Sequence, residues 1–144
     1  MRLERLNPGN VVMAATQTIS KAIHDGKWLI LNLAAGHTVT LPPAVGSGAT
    51  FYFFESLAHA GQTTTIKVAN SNDIMQGAIA VTGTTSGTFG TAANSDAVVA
   101  NGTTTGGALA GGWIEIVDVL ANMWHVRGVL NGSGTAATPF QSIV

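Results

Sequence analysis

The acidic side chains that lie closest together in a predicted strand are Glu115 and Asp118. A pair of carboxyl groups commonly serves as general acid and general base in hydrolytic enzymes, and both groups must face the same site. Because side chains alternate along a strand, an offset of three residues places these two groups on opposite faces. We therefore expect one solvated carboxylate and one in a local hydrogen bond or ion pair, and we predict that the chain has no catalytic residues and is not an enzyme.

The four histidines, His24, His37, His59 and His125, are spaced 13, 22 and 66 residues apart. This spacing matches no metal-ligand motif, such as two histidines four residues apart on a helix. His24 and His59 have turn residues as neighbours, while His37 and His125 have strand residues, so we expect surface or turn roles for all four. The chain has no cysteine, which excludes thiolate ligands. We predict no bound metal and no cofactor.

The chain is unusually poor in charge. Only 9% of its 144 residues are charged, against about 25% in ordinary soluble domains. Six basic residues and a formal net charge of −1 provide no field that would attract nucleic acid. Gly, Thr, Asn and Ser interrupt every uncharged stretch, which argues against a membrane-spanning helix. The first residues lack the apolar core of a signal peptide, so we expect the chain to remain where it is synthesised.

Short apolar stretches between turn residues predict a mainly β structure. The most distinct stretches are Trp28–Leu33, Phe51–Phe54, Thr63–Val68 and a hairpin formed by Trp113–Leu120 and Trp124–Leu130. With about seven to nine strands, the fold expected is a single-domain, all-β sandwich or jelly-roll-like barrel. We expect residues 19–144 to form this domain and residues 1–18 to form an extended N-terminal arm.

Between Val68 and Gly112 the chain is rich in Gly and Thr, and its only charges are Asp73 and Asp96. A loop of this length without charge is expected to have a function or to be disordered. The apolar side chains within it favour an excursion packed against neighbouring subunits; they are Ile79, Val81, Phe89, Val98 and Val99. A flexible surface loop is the alternative.

Each of the three tryptophans has two interpretations. Trp113 and Trp124 are placed to cover each other across the predicted hairpin or to cap a core, and Trp28 begins a strand. The core interpretation is favoured for all three. The alternative is that they anchor an interface.

Several short segments of turn and strand residues follow one another in a fixed order. They are His24–Lys27, Thr40–Pro42, Gly46–Ala49, Ile66–Asn70, Ile74–Gly77, Trp124–Val129 and Gly132–Phe140. In these segments, over residues 18 to 140, the sequence resembles the head decoration, or capsid cement, proteins of tailed bacteriophages.

This resemblance implies a small structural protein of the virion, made in the cytoplasm of the host bacterium. It implies a homotrimer that binds the major capsid protein on the outer surface of an icosahedral head, at threefold or quasi-threefold positions. The trimer interface would include the five apolar residues of the middle segment. The arm would contact the capsid through its charged and apolar residues, which are Arg2, Leu3, Glu4, Arg5 and Leu6.

Two other function classes remain open. A receptor- or glycan-binding module of a head fibre or tail appendage would be favoured by exposed aromatic side chains in a groove. An enzyme on a β scaffold would need convergent carboxylates or a metal site, neither of which the sequence indicates.

Overall fold

The computed structural model describes residues 9–144, and the expectation of an all-β sandwich is confirmed. Twelve strands and one short helix make up this part of the chain. In chain order they are β1 (Val11–Met13), β2 (Gln17–Thr18), α1 (Lys21–His24), β3 (Trp28–Leu31), β4 (Thr38–Thr40), β5 (Thr50–Glu55), β6 (Thr64–Lys67), β7 (Ile74–Thr82), β8 (Gly87–Gly90), β9 (Ala97–Ala100), β10 (Trp113–Leu120), β11 (Met123–Asn131) and β12 (Phe140–Gln141).

The strands form two mixed sheets. The larger has seven strands in the order β1-β3-β5-β10-β11-β7-β8, and the smaller has five in the order β12-β9-β6-β4-β2. The predicted hairpin is present as β10 and β11, which pair antiparallel around a turn where Asn122 has a positive φ of 62°.

The first half of the chain winds back and forth between the sheets. β1, β3 and β5 pair in parallel in the larger sheet, and β2, β4 and β6 pair in parallel in the smaller one. Parallel neighbours need a crossover connection, which is usually a helix. Here each connection between two parallel strands of one sheet contains a strand of the other sheet. The chain therefore builds both sheets as it alternates between them.

The core lies between the two sheets and is formed by alternate residues of each strand. In β5, Phe51 and Phe53 are fully buried while Tyr52 and Phe54 point to the other face. Trp124 is also fully buried and its ring lies 5.9 Å from that of Phe51. The period of two residues thus determines which apolar side chains enter the core.

The middle segment belongs to both sheets, which corrects the expectation of an excursion from the domain. Its residues form β7 and β8 at one edge of the larger sheet and β9 within the smaller sheet. The described part of the expected arm is likewise joined to the sheets, because β1 pairs with β3 and β2 pairs with β4. Arg2, Leu3, Glu4, Arg5 and Leu6 lie outside the described residues.

Candidate binding surface

The outer face of the seven-stranded sheet carries a row of apolar side chains across six adjacent strands. Strand pairing aligns these residues one beside the next; from β1 to β7 they are Val12, Ile30, Phe54, Trp113, Val129 and Ala80. They point away from the core because each is flanked in its strand by residues that point inward. Val12 is 61% exposed and Trp113 is 36% exposed.

A second row beside the first begins with aromatic residues and ends with charged ones. Trp28 pairs with Tyr52, Tyr52 pairs with Glu115, and Glu115 pairs with Arg127. The ring of Trp28, which is 39% exposed, lies 5.2 Å from that of Tyr52 and 6.4 Å from that of Phe54, edge-on to the latter. We call the two rows together, without the charged pair, the apolar face.

The charged pair at the end of the second row is a bidentate contact. Arg127 Nε donates to Glu115 Oε1 at 2.8 Å, and Arg127 Nη2 donates to Oε2 at 3.2 Å. The hydrogen bond with Glu115 raises the pKa of Arg127 above its ordinary value. Because the two charges neutralise each other, this side of the sheet presents no net charge beside the apolar face.

Asp118, on the opposite face of β10, organises a loop at one end of the sandwich. Its buried carboxylate accepts hydrogen bonds from the backbone N–H groups of Val45, Gly46 and Ser47, and from the Ser47 hydroxyl at 2.7 Å. Burial raises the pKa of Asp118, but the hydrogen bonds from Ser47, Gly46 and Val45 outweigh it and hold the pKa below its ordinary value. The predicted opposite faces are confirmed, and Asp118 is the carboxylate with local hydrogen bonds. The expectation that the other carboxylate is simply solvated is wrong, because Glu115 is paired with Arg127.

The loop held by Asp118 presents aliphatic side chains to solvent. Val45 is 68% exposed, and Leu120, whose backbone packs against Gly46, is 59% exposed. Asp73 strengthens the same loop, because its carboxylate accepts a hydrogen bond from Ala44 N–H. This apolar tip, formed by Val45 and Leu120, is therefore held in place by buried carboxylates.

At the other end of the sandwich, a carboxylate and two histidines are buried together. Glu55, His37 and His59 are 3%, 5% and 4% exposed, respectively. His59 Nε2 lies 3.3 Å from Glu55 Oε1, and His59 Nδ1 lies 2.7 Å from the carbonyl oxygen of Gln62. His37 is close enough for the charge of His59 to lower its pKa, in addition to the lowering by burial.

The structure does not place the residues expected at a trimer interface on the surface. Ile79, Val81 and Val98 are buried in the core, Val99 is 7% exposed, and Phe89 is half-buried against the core. Four of these five side chains are thus already covered within one chain. Phe89 alone of the five leaves part of its side chain accessible to another copy.

Among residues 9–144, no group of three or more His, Asp or Glu side chains is arranged to hold a metal ion. In this part of the chain no helix has the length and apolar character needed to cross a membrane. The expectation that all three tryptophans lie in the core holds for Trp124 and is wrong for Trp28 and Trp113, which are partly exposed on the apolar face.

Sequence reasoning also missed the buried cluster, although a signal was present. Glu55 follows Phe51 and Phe53 at a spacing of two residues, so the alternation that buries them also buries Glu55. The apolar face had a similar signal, because four consecutive aromatic residues in one strand must place two on each face of the sheet. Which face would remain uncovered could not be deduced without the sheet order.

Comparison with known proteins identified no relative: no family model, curated protein or solved structure matches the chain.

Proposed function

We propose that the protein is a structural virion component that binds the outer surface of a bacteriophage capsid and stabilises contacts between coat subunits. The observation that carries the proposal is the apolar face, which places Trp28, Trp113 and six further aromatic or aliphatic residues on one uncovered side of the sandwich. The order of the turn and strand segments, which resembles that of capsid decoration proteins, supports the same function.

The composition of the apolar face suits a contact with another protein. Trp, Tyr and Arg are enriched where protein partners meet, and these residues account for much of the binding energy at such interfaces. Glu115 and Arg127 already form an ion pair with each other, so covering this side of the sheet would not bury an unpaired charge. The partner that fits is therefore an uncharged, apolar patch of a coat protein.

The dimensions of the apolar face favour binding in many copies. Strands lie about 4.8 Å apart, so a row across six strands spans about 24 Å, and this row together with the two aromatic residues of the second row covers roughly 200–250 Å². Stable pairwise complexes bury about 800 Å² on each partner. A single contact of this size is weak, whereas a lattice of identical sites, or a homotrimer that engages three sites at once, raises the effective affinity.

A sedimentation experiment tests this proposal. The purified chain is mixed with capsids of the phage that encodes it, assembled without the protein, and the bound fraction is measured after pelleting. We expect saturable binding that the double substitution Trp28→Ala and Trp113→Ala weakens at least tenfold. Leu120→Ala is the matched control, because Leu120 is 59% exposed but lies at the end of β10 opposite to Trp113. Absence of binding by the unaltered chain would refute the proposal.

A glycan-binding module is the second candidate function. Trp28, Tyr52 and Trp113 expose ring surface next to the carboxylate and guanidinium of Glu115 and Arg127, and sugar rings stack on aromatic faces while their hydroxyls bond to such polar groups. Host-cell polysaccharide immobilised on beads is the probe. Retention of the chain by the beads, with no binding to capsids, would favour this candidate over capsid decoration.

A further inference from the structure

The hydrogen bonds of His59 favour a particular protonation state. The two acceptors at its ring nitrogens are a carbonyl oxygen, that of Gln62, and a carboxylate oxygen, that of Glu55. The hydrogen bond with Glu55 raises the pKa of His59 above its ordinary value. This favours the imidazolium form of His59, in which both ring nitrogens donate, one to the Gln62 carbonyl oxygen and one to Glu55.

The neighbouring His37 is in the opposite situation. Within the described residues, neither of its ring nitrogens has a hydrogen-bond partner, although both are buried. A charged imidazolium without an acceptor is costly in such an environment, and the positive charge of His59 adds to the cost. His37 is therefore neutral. It lies near the segment that follows His59, because Gly36 packs against the backbone of Thr63 and Thr65 N–H donates to the His37 carbonyl oxygen.

The cluster connects separate segments of the chain. His59 N–H donates to the carbonyl oxygen of Gly107, and Gly61 N–H donates to that of Gly102. Gly107 lies directly against the His59 ring, so that a Cβ there would collide with it, and a Cβ at Gly112 would collide with the Glu55 carboxyl group. Residues 56–63 and 101–112 thus close over the buried groups.

We propose that Glu55, His59 and His37 form an acid-sensitive latch that holds the loops of residues 56–63 and 101–112 together at this end of the sandwich. In mild acid, a proton from solvent adds to a ring nitrogen of His37 and creates a second buried imidazolium beside His59. With no acceptor for the new N–H group, the structure accommodates this charge by opening the loops. This inference does not depend on what the protein binds.

No other ionisable side chain of the surrounding described segments interferes with this assignment. Residues 56–58, 60–65, 101–112 and 129–132 carry no titratable side chain, and within residues 32–37 only His37 is titratable. The titratable groups of these described segments are therefore Glu55, His59 and His37.

The pH dependence of stability follows from these states. The pKa of His37 is below that of a histidine in the unfolded chain, near 6.5, so its contribution to stability is present above pH 6.5 and declines as the pH falls from there toward the folded pKa. The pKa of His59 is raised, so its contribution is complete below pH 6.5 and declines as the pH rises toward its folded pKa. Stability should therefore be greatest near pH 6.5.

The test is urea unfolding of the full chain between pH 5 and pH 8. Below pH 6.5, we expect the unfolding equilibrium constant of the unaltered protein to rise by up to about tenfold for each pH unit. His37→Leu should remove this loss of stability below pH 6.5, and His59→Gln should remove the loss of stability above pH 6.5. His125→Gln, which alters an exposed histidine of β11, should change neither. An acid dependence that persists unchanged in His37→Leu would overturn the proposal.

Two measurements on the unaltered protein keep the proposal falsifiable if His37→Leu does not fold. An NMR titration of the histidine rings should give His37 a midpoint below 6.5, and a midpoint at or above 6.5 would overturn the latch. Hydrogen-exchange protection of the His59 and Gly61 amides should fall in mild acid before that of Gly48, whose N–H donates to Asp118 at the opposite end. Equal loss of protection at both ends would also overturn it.

Discussion

At the scale of single residues, the carboxylates of β10 illustrate how position determines the role of one chemical group. Glu115 and Asp118 are separated by three residues, and their opposite orientation could be predicted from the alternation of the strand. What the sequence could not indicate is the partner of Asp118, because Val45, Gly46 and Ser47 lie more than 70 residues away along the chain and are brought near it only by the fold.

Replacing Asp118 with Asn tests the role of this carboxylate. An amide cannot accept all the hydrogen bonds from residues 45–47, and its NH₂ group would face N–H donors. We expect Asp118→Asn to lower the free energy of unfolding by about 2–4 kcal/mol, measured by urea denaturation. Glu115→Gln on the same strand is the control and should cost less than about 1 kcal/mol, because its ion pair with Arg127 is exposed to solvent.

The same carboxylate predicts a loss of stability in strong acid. Since the pKa of Asp118 is lowered, its contribution is complete above the ordinary carboxyl value near 3.8 and declines as the pH falls toward the folded pKa. The difference in stability between the unaltered protein and Asp118→Asn should therefore shrink below about pH 4. A difference that stays constant down to pH 2 would contradict this assignment.

At the scale of elements, the hairpin could be predicted and the winding of the first six strands could not. β10 and β11 are adjacent in sequence, and a turn as short as theirs can join two neighbouring strands only in an antiparallel hairpin. For β1 to β6, the apolar pattern is compatible with pairing between successive strands as well as with the observed alternation between sheets. The middle segment was harder still, because strands rich in Gly, Ala and Thr resemble a loop in composition.

Gly77 in β7 makes the parallel pairing with β11 feasible. Its φ is +147°, and a Cβ at this position would collide with the carbonyl oxygen of Val126. We expect Gly77→Ala to destabilise the protein by about 3 kcal/mol or more, measured by thermal or urea unfolding. Gly90→Ala in β8 is the matched control: the nearest atom to its Cβ would be 3.9 Å away, so a change beyond about 1 kcal/mol there would contradict this explanation.

At the scale of the whole molecule, the sandwich carries few charges and leaves the outer side of its larger sheet uncovered. The apolar face gathers aromatic and aliphatic side chains on that outer side. The sequence could not locate it, since Trp28 and Trp113 are indistinguishable from core residues until the order of strands is known. Of the residues first expected at a trimer interface, Ile79, Val81 and Val98 belong to the core between the two sheets.

The measurement that tests the proposed function most directly is the temperature at which capsids disrupt. Capsids assembled without the protein are heated alone, with a saturating amount of the unaltered chain, and with the Trp28→Ala and Trp113→Ala double variant, and release of their contents is recorded. If the apolar face binds and stabilises coat subunits, the unaltered chain raises the disruption temperature and the variant raises it less. Identical disruption temperatures with and without the unaltered chain would contradict capsid stabilisation.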